Sequence, residues 1–180
     1  MKKIVLLGAS TGGPGKIKEI LNEMPPLTCP MVISQHMQEG FLPSFVSLLN
    51  THSKNLVRLS HECLTLENIV YICRNSCEIK NNIMCESKRI FPFSPNVDLL
   101  FSSAARLKNV KVFAILLTGI GDDGALGLLE LFNKGANCVA ENEASCIVYG
   151  MPKKAFELNN KLEMLDLKVI KSRLYDFLKG

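Results

Sequence analysis

The chain has 180 residues, of which 47% are hydrophobic and 21% charged, with a formal net charge of +4. That length suits one domain with a proper buried core, and so mild a charge excludes a polycationic tail and gives no argument for nucleic acid without a clustered patch. The 12 glycines and 8 prolines exclude collagen-like and low-complexity chains, and no apolar run approaches the roughly 20 residues of a membrane-spanning helix.

The chain opens on Lys3–Leu7, an apolar run ended by Gly8. It is shorter than the ~7–15 residues of a secretory core and reads as a buried strand of a cytoplasmic protein. Ile17, Ile20, Leu21 and Met24 recur at helical spacing, with Pro14 at the first turn and Pro25-Pro26 as the stop. Met31–Ser34 reads as a strand and Phe41–Leu49 as a helix. Leu56–Leu59, Ile69–Ile72, Glu78–Lys80 and Ile83–Glu86 read as short strands, the last two joined by a turn at Asn81-Asn82. A helix over Asn96–Leu107 follows Pro95; then come a strand Val112–Leu117, a helix Gly124–Lys134 and a strand Asn137–Ala140. A helix Met151–Leu158, a strand Leu162–Leu165 and a helix Ile170–Leu178 complete the chain.

Strands alternating with helices predict an α/β domain: a doubly wound, mostly parallel sheet with helices on both faces. A small antiparallel hairpin insertion is expected within residues 56–90, and residues 1–180 form a single domain. The seven cysteines, an odd number with no C-x-x-C pair, read as reduced thiols, several of them core fillers. Three scattered histidines make no Cys/His zinc site, and no metal or cofactor is expected.

In such a fold, ligands sit outside the carboxyl ends of the strands. Three of those ends carry unusual residues: Gly8-Ala9-Ser10-Thr11-Gly12-Gly13-Pro14, Ser34-Gln35-His36-Met37, and Leu117-Thr118-Gly119-Ile120-Gly121-Asp122-Asp123-Gly124. The first could cradle a phosphate, yet it is neither G-x-G-x-x-G nor a P-loop. Ser10 or Thr11 could cap the following helix, or Ser10 could be a nucleophile on a tight turn. A histidine at an adjoining strand end supplies a candidate base, His36. His52 and His61 lie in the less regular part and take no role. Asp122 and Asp123 offer a helix cap, a metal ligand or the orienting acid of a triad. Spacing does not decide which aspartate acts. Taken together these loops suggest a serine hydrolase with chain order Ser, His, Asp.

With these blocks in place, the chain resembles the catalytic domain of the CheB family, the protein-glutamate methylesterases of bacterial chemotaxis. Pro95-Asn96-Val97-Asp98-Leu99-Leu100-Phe101 and the stretch from Glu141-Asn142-Glu143 to Tyr149-Gly150-Met151-Pro152 add to the likeness. The resemblance implies hydrolysis of glutamate γ-methyl esters on methyl-accepting chemotaxis receptors, and deamidation of receptor glutamines by the same acyl transfer. It implies Ser10 as nucleophile, His36 as general base and Asp123 as orienting acid. Thr11, Ile120 and Gly121 would line the oxyanion and substrate site. The partners would be the receptors, with no nucleic acid and no membrane insertion.

Ile120 stands where the family usually has methionine. Cys73-Arg74-Asn75 follows Val70-Tyr71-Ile72 where an Ala-Pro-Gly loop is common, and Lys153-Lys154 stands where arginine is common. The family's inhibitory receiver domain has no room before Ser10, so activity independent of phosphorylation is expected. Lys16, Lys18, Lys153 and Lys154 could form a basic rim that steers a glutamate-rich receptor, or a merely solvated surface. The rival readings are a catalytically silent receptor-binding protein that keeps the fold, and a phosphate binder using the first loop.

Overall fold

Strands whose side chains are sequestered on both faces need cover on both, and β1 (Lys3–Ala9) has it: Ile4, Val5, Leu6 and Leu7 are all fully buried. The computed structural model describes residues 1–180. β1 leads into α1 (Gly13–Glu23), β2 (Met31–Gln35), a 3-10 turn at Glu39–Phe41 and α2 (Leu42–His52). Five short strands follow: β3 (Val57–Leu59), β4 (Cys63–Thr65), β5 (Val70–Ile72), β6 (Cys77–Lys80) and β7 (Ile83–Glu86). Then come α3 (Val97–Ala104), β8 (Lys111–Leu116), α4 (Ala125–Asn133) and β9 (Asn137–Glu141). The chain ends with α5 (Met151–Leu158), β10 (Glu163–Leu165) and α6 (Leu167–Lys179).

The main sheet has seven strands in the order β10-β9-β8-β1-β2-β5-β3, and every neighbouring pair is parallel. Side chains alternate across it. Val5 and Leu7 join a core with Ile17 and Leu21 of α1, Phe45 of α2 and Ile170 and Leu174 of α6. Ile4 and Leu6 join a second core with Leu100 and Phe101 of α3, Leu128 of α4 and Met151 of α5. Each fully buried side chain of this size contributes roughly 1.5–3 kcal/mol. The order reverses at β1, which has β2 on one side and β8 on the other. The loops after β1, β2 and β8 therefore meet at the switch point, where open α/β sheets bind their ligands.

This is the expected doubly wound fold, with two differences in the middle of the chain. Val57–Leu59 and Val70–Ile72 are not part of the antiparallel insertion; they extend the parallel sheet from β2. The insertion is a three-stranded antiparallel sheet in the order β4-β7-β6, its β6–β7 hairpin turning at Asn81 with φ 57. Strands of three residues are too short to show a period, and direction of pairing leaves no mark on them. Element ends also move: α6 begins at Leu167 because the Asp166 side chain caps it, accepting the Val169 N–H at 2.8 Å.

The expectation of seven reduced thiols is corrected. Cys63 on β4 faces Cys85 on β7 in register, and the two form a disulfide across 22 positions of sequence. Directly opposed residues on antiparallel strands have neighbouring Cβ atoms, a proximity that no sequence spacing displays. Cys29, Cys73, Cys77 and Cys138 are buried free thiols, and Cys146 is a half-buried one. Alkylation of the denatured, unreduced protein should label these five cysteines, and prior reduction should expose all seven. Closing a loop of this size should contribute about 3 kcal/mol, so reduction should lower the melting temperature. Seven labelled thiols without reductant would exclude the bridge.

Candidate active site

Ser10 is the first residue beyond β1, and its backbone is tied from two sides. Its N–H donates to Thr118 O at 3.0 Å, while its carbonyl accepts from Gly13 N at 2.9 Å and from Gln35 Nε2 at 2.9 Å. Gly12 completes the turn with φ 85, a left-handed conformation that glycine adopts without strain. Gly12 is also the N-cap of α1, and no side chain caps that helix. The capping role weighed for Ser10 and Thr11 is therefore not the one they have. Gly119 lets the third loop press against the turn, for a Cβ there would lie 2.7 Å from the Ser10 Cβ.

His36 follows β2 directly. Its N–H donates to Ala9 O at 2.9 Å, which extends the β1–β2 register by one bond and sets His36 beside Ser10. Its Nε2 lies 2.7 Å from Asp123 Oδ2. Phe93 stacks on the imidazole with centroids 5.2 Å apart and 7° between the planes. The ring is thus fixed by an acid at one nitrogen and an aromatic face, with Nδ1 left free of Asp123.

Asp123 is 3% exposed. A carboxylate buried so deeply is costly unless its oxygens are satisfied. Oδ1 accepts from Asn96 Nδ2 at 2.8 Å and from Asp98 N at 2.9 Å; Oδ2 accepts from Val97 N at 2.8 Å besides facing His36. Val97 and Asp98 open α3, so the acid sits on the positive end of that helix. Asn96 caps the same helix, accepting from Leu99 N at 2.7 Å, and is itself held through its N–H by Ser76 Oγ at 2.9 Å. Asp122 is exposed to solvent. The neighbour of the histidine is therefore Asp123, and the helix that it caps is α3, across the sheet end, rather than the α4 that follows it.

Thr11 follows Ser10, Ile120 and Gly121 follow the Gly119 that packs on it, and all three are exposed. The Ile120 side chain is 60% exposed, so at this position the backbone, not the side chain, faces the loop interior. Thr11 N, Ile120 N and Gly121 N donate to no acceptor within the chain and remain free for a ligand. Thr118 Oγ1 holds this region together: it donates to Thr11 O at 2.9 Å and accepts from Val148 N at 2.8 Å. A cleft of about 770 Å³ between β6 and the end of α3 contains none of these residues.

Several participants went unforeseen. Phe93 carries no sequence signal for stacking on His36. Asn96 did carry one, as an asparagine one residue before an apolar helix. Lys16, weighed as part of a basic rim or of a solvated surface, is paired with Glu141 at 2.9 Å, and Lys154 pairs with Glu157 at 3.5 Å, while Lys153 is exposed. Pairing of two of the four lysines weakens the rim reading.

Asp98 is the other unforeseen residue. Its N–H serves Asp123, and its own Oδ1 accepts from Gly127 N at 2.7 Å, clamping α3 to α4. Burial pushes its carboxyl up to about 6, with the Gly127 amide opposing and the nearby Asp123 and Asp122 charges adding. An unfolded aspartate titrates near ~3.9, so the native chain holds the extra proton between about pH 4 and 6 and stability falls as pH rises through that window. Asp98→Asn should remove this decline and gain on wild type by of order 1 kcal/mol above pH 6, discounted for partial exposure. Urea unfolding at pH 4 and 7.5 reads the difference; an equal gain at both would rule out ionisation as the cause.

A family model described as CheB methylesterase matches residues 5–174. Over 179 residues the chain is 40% identical to a protein-glutamate methylesterase/protein-glutamine glutaminase of Ralstonia nicotianae, covering 94% of this chain and 47% of that one. It is 33% identical over 183 residues to the protein of the same name from Photorhabdus laumondii, covering 96% and 52%. The chain thus spans about half the length of these curated relatives. The crystal structure of the Thermotoga maritima CheB methylesterase catalytic domain superimposes with a TM-score of 0.87 at 29% identity, covering 98% of this chain and 99% of that one.

Proposed function

Because the chain belongs to the CheB methylesterase family, we propose that it is a serine hydrolase that demethylates glutamate γ-methyl esters on methyl-accepting chemotaxis receptors and deamidates receptor glutamines. The names of its relatives carry both activities. The observation that bears most weight is the 2.7 Å contact between His36 and a buried, fully satisfied Asp123, beside Ser10 at the switch point. No helix is long and apolar enough to cross a membrane, which suits an enzyme that meets the cytoplasmic methylation region of its receptor from solution.

The geometry supports the following roles. With Asp123 accepting the hydrogen bond of Nε2–H, the base is Nδ1. Nδ1 takes the Ser10 proton as Oγ attacks the γ-carbonyl carbon, and the carbonyl oxygen becomes an oxyanion. The free N–H groups of Thr11, Ile120 and Gly121 are the donors at hand to stabilise it. The tetrahedral intermediate collapses, the imidazolium gives its proton to the departing methoxide, and methanol leaves an acyl-Ser10. Water, deprotonated by Nδ1, then releases glutamate and restores the serine. From glutamine the leaving group is ammonia and the rest is the same. If the Ile120 position contributes only its amide, isoleucine in place of methionine preserves that role.

Ser10→Ala should abolish methanol release from methylated receptor with the fold intact, since no acyl-enzyme can form. Turnover at the wild-type rate would remove Ser10 from the mechanism and favour a catalytically silent, receptor-binding role for this site.

Asp123→Asn should lower kcat by up to ~10⁴-fold, because an amide favours the wrong imidazole tautomer. Asp122→Asn, at an exposed carboxylate, should change it little. Comparable losses in both variants would contradict the assignment of the acid.

A further inference from the structure

Glu141 is fully buried, yet it plays no part in the chemistry above. It is the last residue of β9, whose Ala140 lies beside Leu116 of β8, so its side chain reaches the first residues beyond β8. Its Oε2 accepts the Thr118 N–H at 3.0 Å, an amide that the sheet ladder no longer serves. Its Oε1 accepts from Ser145 Oγ at 2.9 Å and faces Lys16 Nζ at 2.9 Å. Lys16 also donates to Ser145 O at 2.7 Å, which joins α1 to the 142–149 loop. Thr118, the residue so gripped, accepts the Ser10 N–H through its carbonyl and donates to Thr11 O through its hydroxyl.

We propose that Lys16 and Glu141 are positioning residues: a buried ion pair behind the nucleophile turn that fixes the Ser10 and Thr11 backbone through Thr118. The proposal rests on the reading of Ser10 as nucleophile. A shift of about 1 Å in a reacting group can cost 10²-fold in rate, and on its β9 side the turn takes its reference from Thr118, whose amide Glu141 holds. A buried ion pair suits this use, because its value lies more in fixing a geometry than in net stability. Removing one partner is far worse than removing both, because it strands a charge with nothing to answer it.

The test compares Lys16→Met, Glu141→Gln and the double variant with wild type. Lys171→Met is the control, breaking a pair that α6 makes with Glu19 and Glu23 farther along α1. Two measurements are taken: methanol release from methylated receptor, and hydrogen exchange at the Ser10 and Thr118 amides. Lys16→Met should lower kcat by roughly 10–100-fold with KM within about 3-fold, and the double variant should recover at least about 5-fold of that loss. Exchange at Ser10 and Thr118 should quicken by at least about 10-fold in Lys16→Met while Leu6, deep in β1, keeps its protection. Lys171→Met should do neither. Wild-type exchange in Lys16→Met overturns the proposal, and so does quickened exchange with unchanged kcat. A wild-type protein with no esterase activity would sink the hydrolase reading, while the exchange data would still decide whether the pair holds the turn.

Discussion

A buried carboxylate must find donors, and the way Asp123 finds them organises this face of the molecule. Its oxygens are met by the first amides of α3, by the Asn96 side chain and by His36. The cost of removing the charge from water is offset by the helix terminus and by hydrogen bonds that need no reorganisation. Each donor carries a further demand. Asn96 must cap α3 and is held by Ser76 of the insertion, and Asp98 must return a bond to the start of α4. One acid therefore ties α3, α4, the loop after β2 and the antiparallel sheet into a single arrangement.

The insertion takes its meaning from this. β4, β6 and β7 stand apart from the parallel sheet, but Ser76 at the entry to β6 supports the residue that caps α3. The backbone of Ser87, just beyond β7, donates to Ser76 O, so both ends of the hairpin meet there. The Cys63–Cys85 bridge closes the outer edge of the same sheet. That edge connects to the acid through hydrogen bonds at Ser76 and Asn96.

Two buried carboxylates flank the switch point and are satisfied by different means. Asp123 relies on helix amides and the Asn96 side chain, and faces one titratable partner, the imidazole. Glu141 relies on a lysine and on the Thr118 amide. The first arrangement leaves a proton acceptor facing a ring that can exchange protons. The second neutralises its charge outright and so suits a fixed support. Ser10 has its backbone bound by Thr118, which Glu141 holds, and by Gln35 of the neighbouring strand.

The fold class and the three loops that matter were legible in the residues alone, because continuous apolar runs and 3.6-residue periods are local signals and every parallel strand end is a candidate site. It also singled out Ser10, His36 and the aspartate pair, since those residue types are unusual at strand ends, and the family likeness then favoured Asp123 over Asp122. It did not reveal that Asp123 would cap α3, that Phe93 would stack on His36, that Cys63 would meet Cys85, or that Lys16 would leave the surface for Glu141. Those contacts join positions from 22 to 125 residues apart. They emerge with the packed fold, because a contact between distant segments depends on strand order and register, and neither is written in the local pattern of either segment.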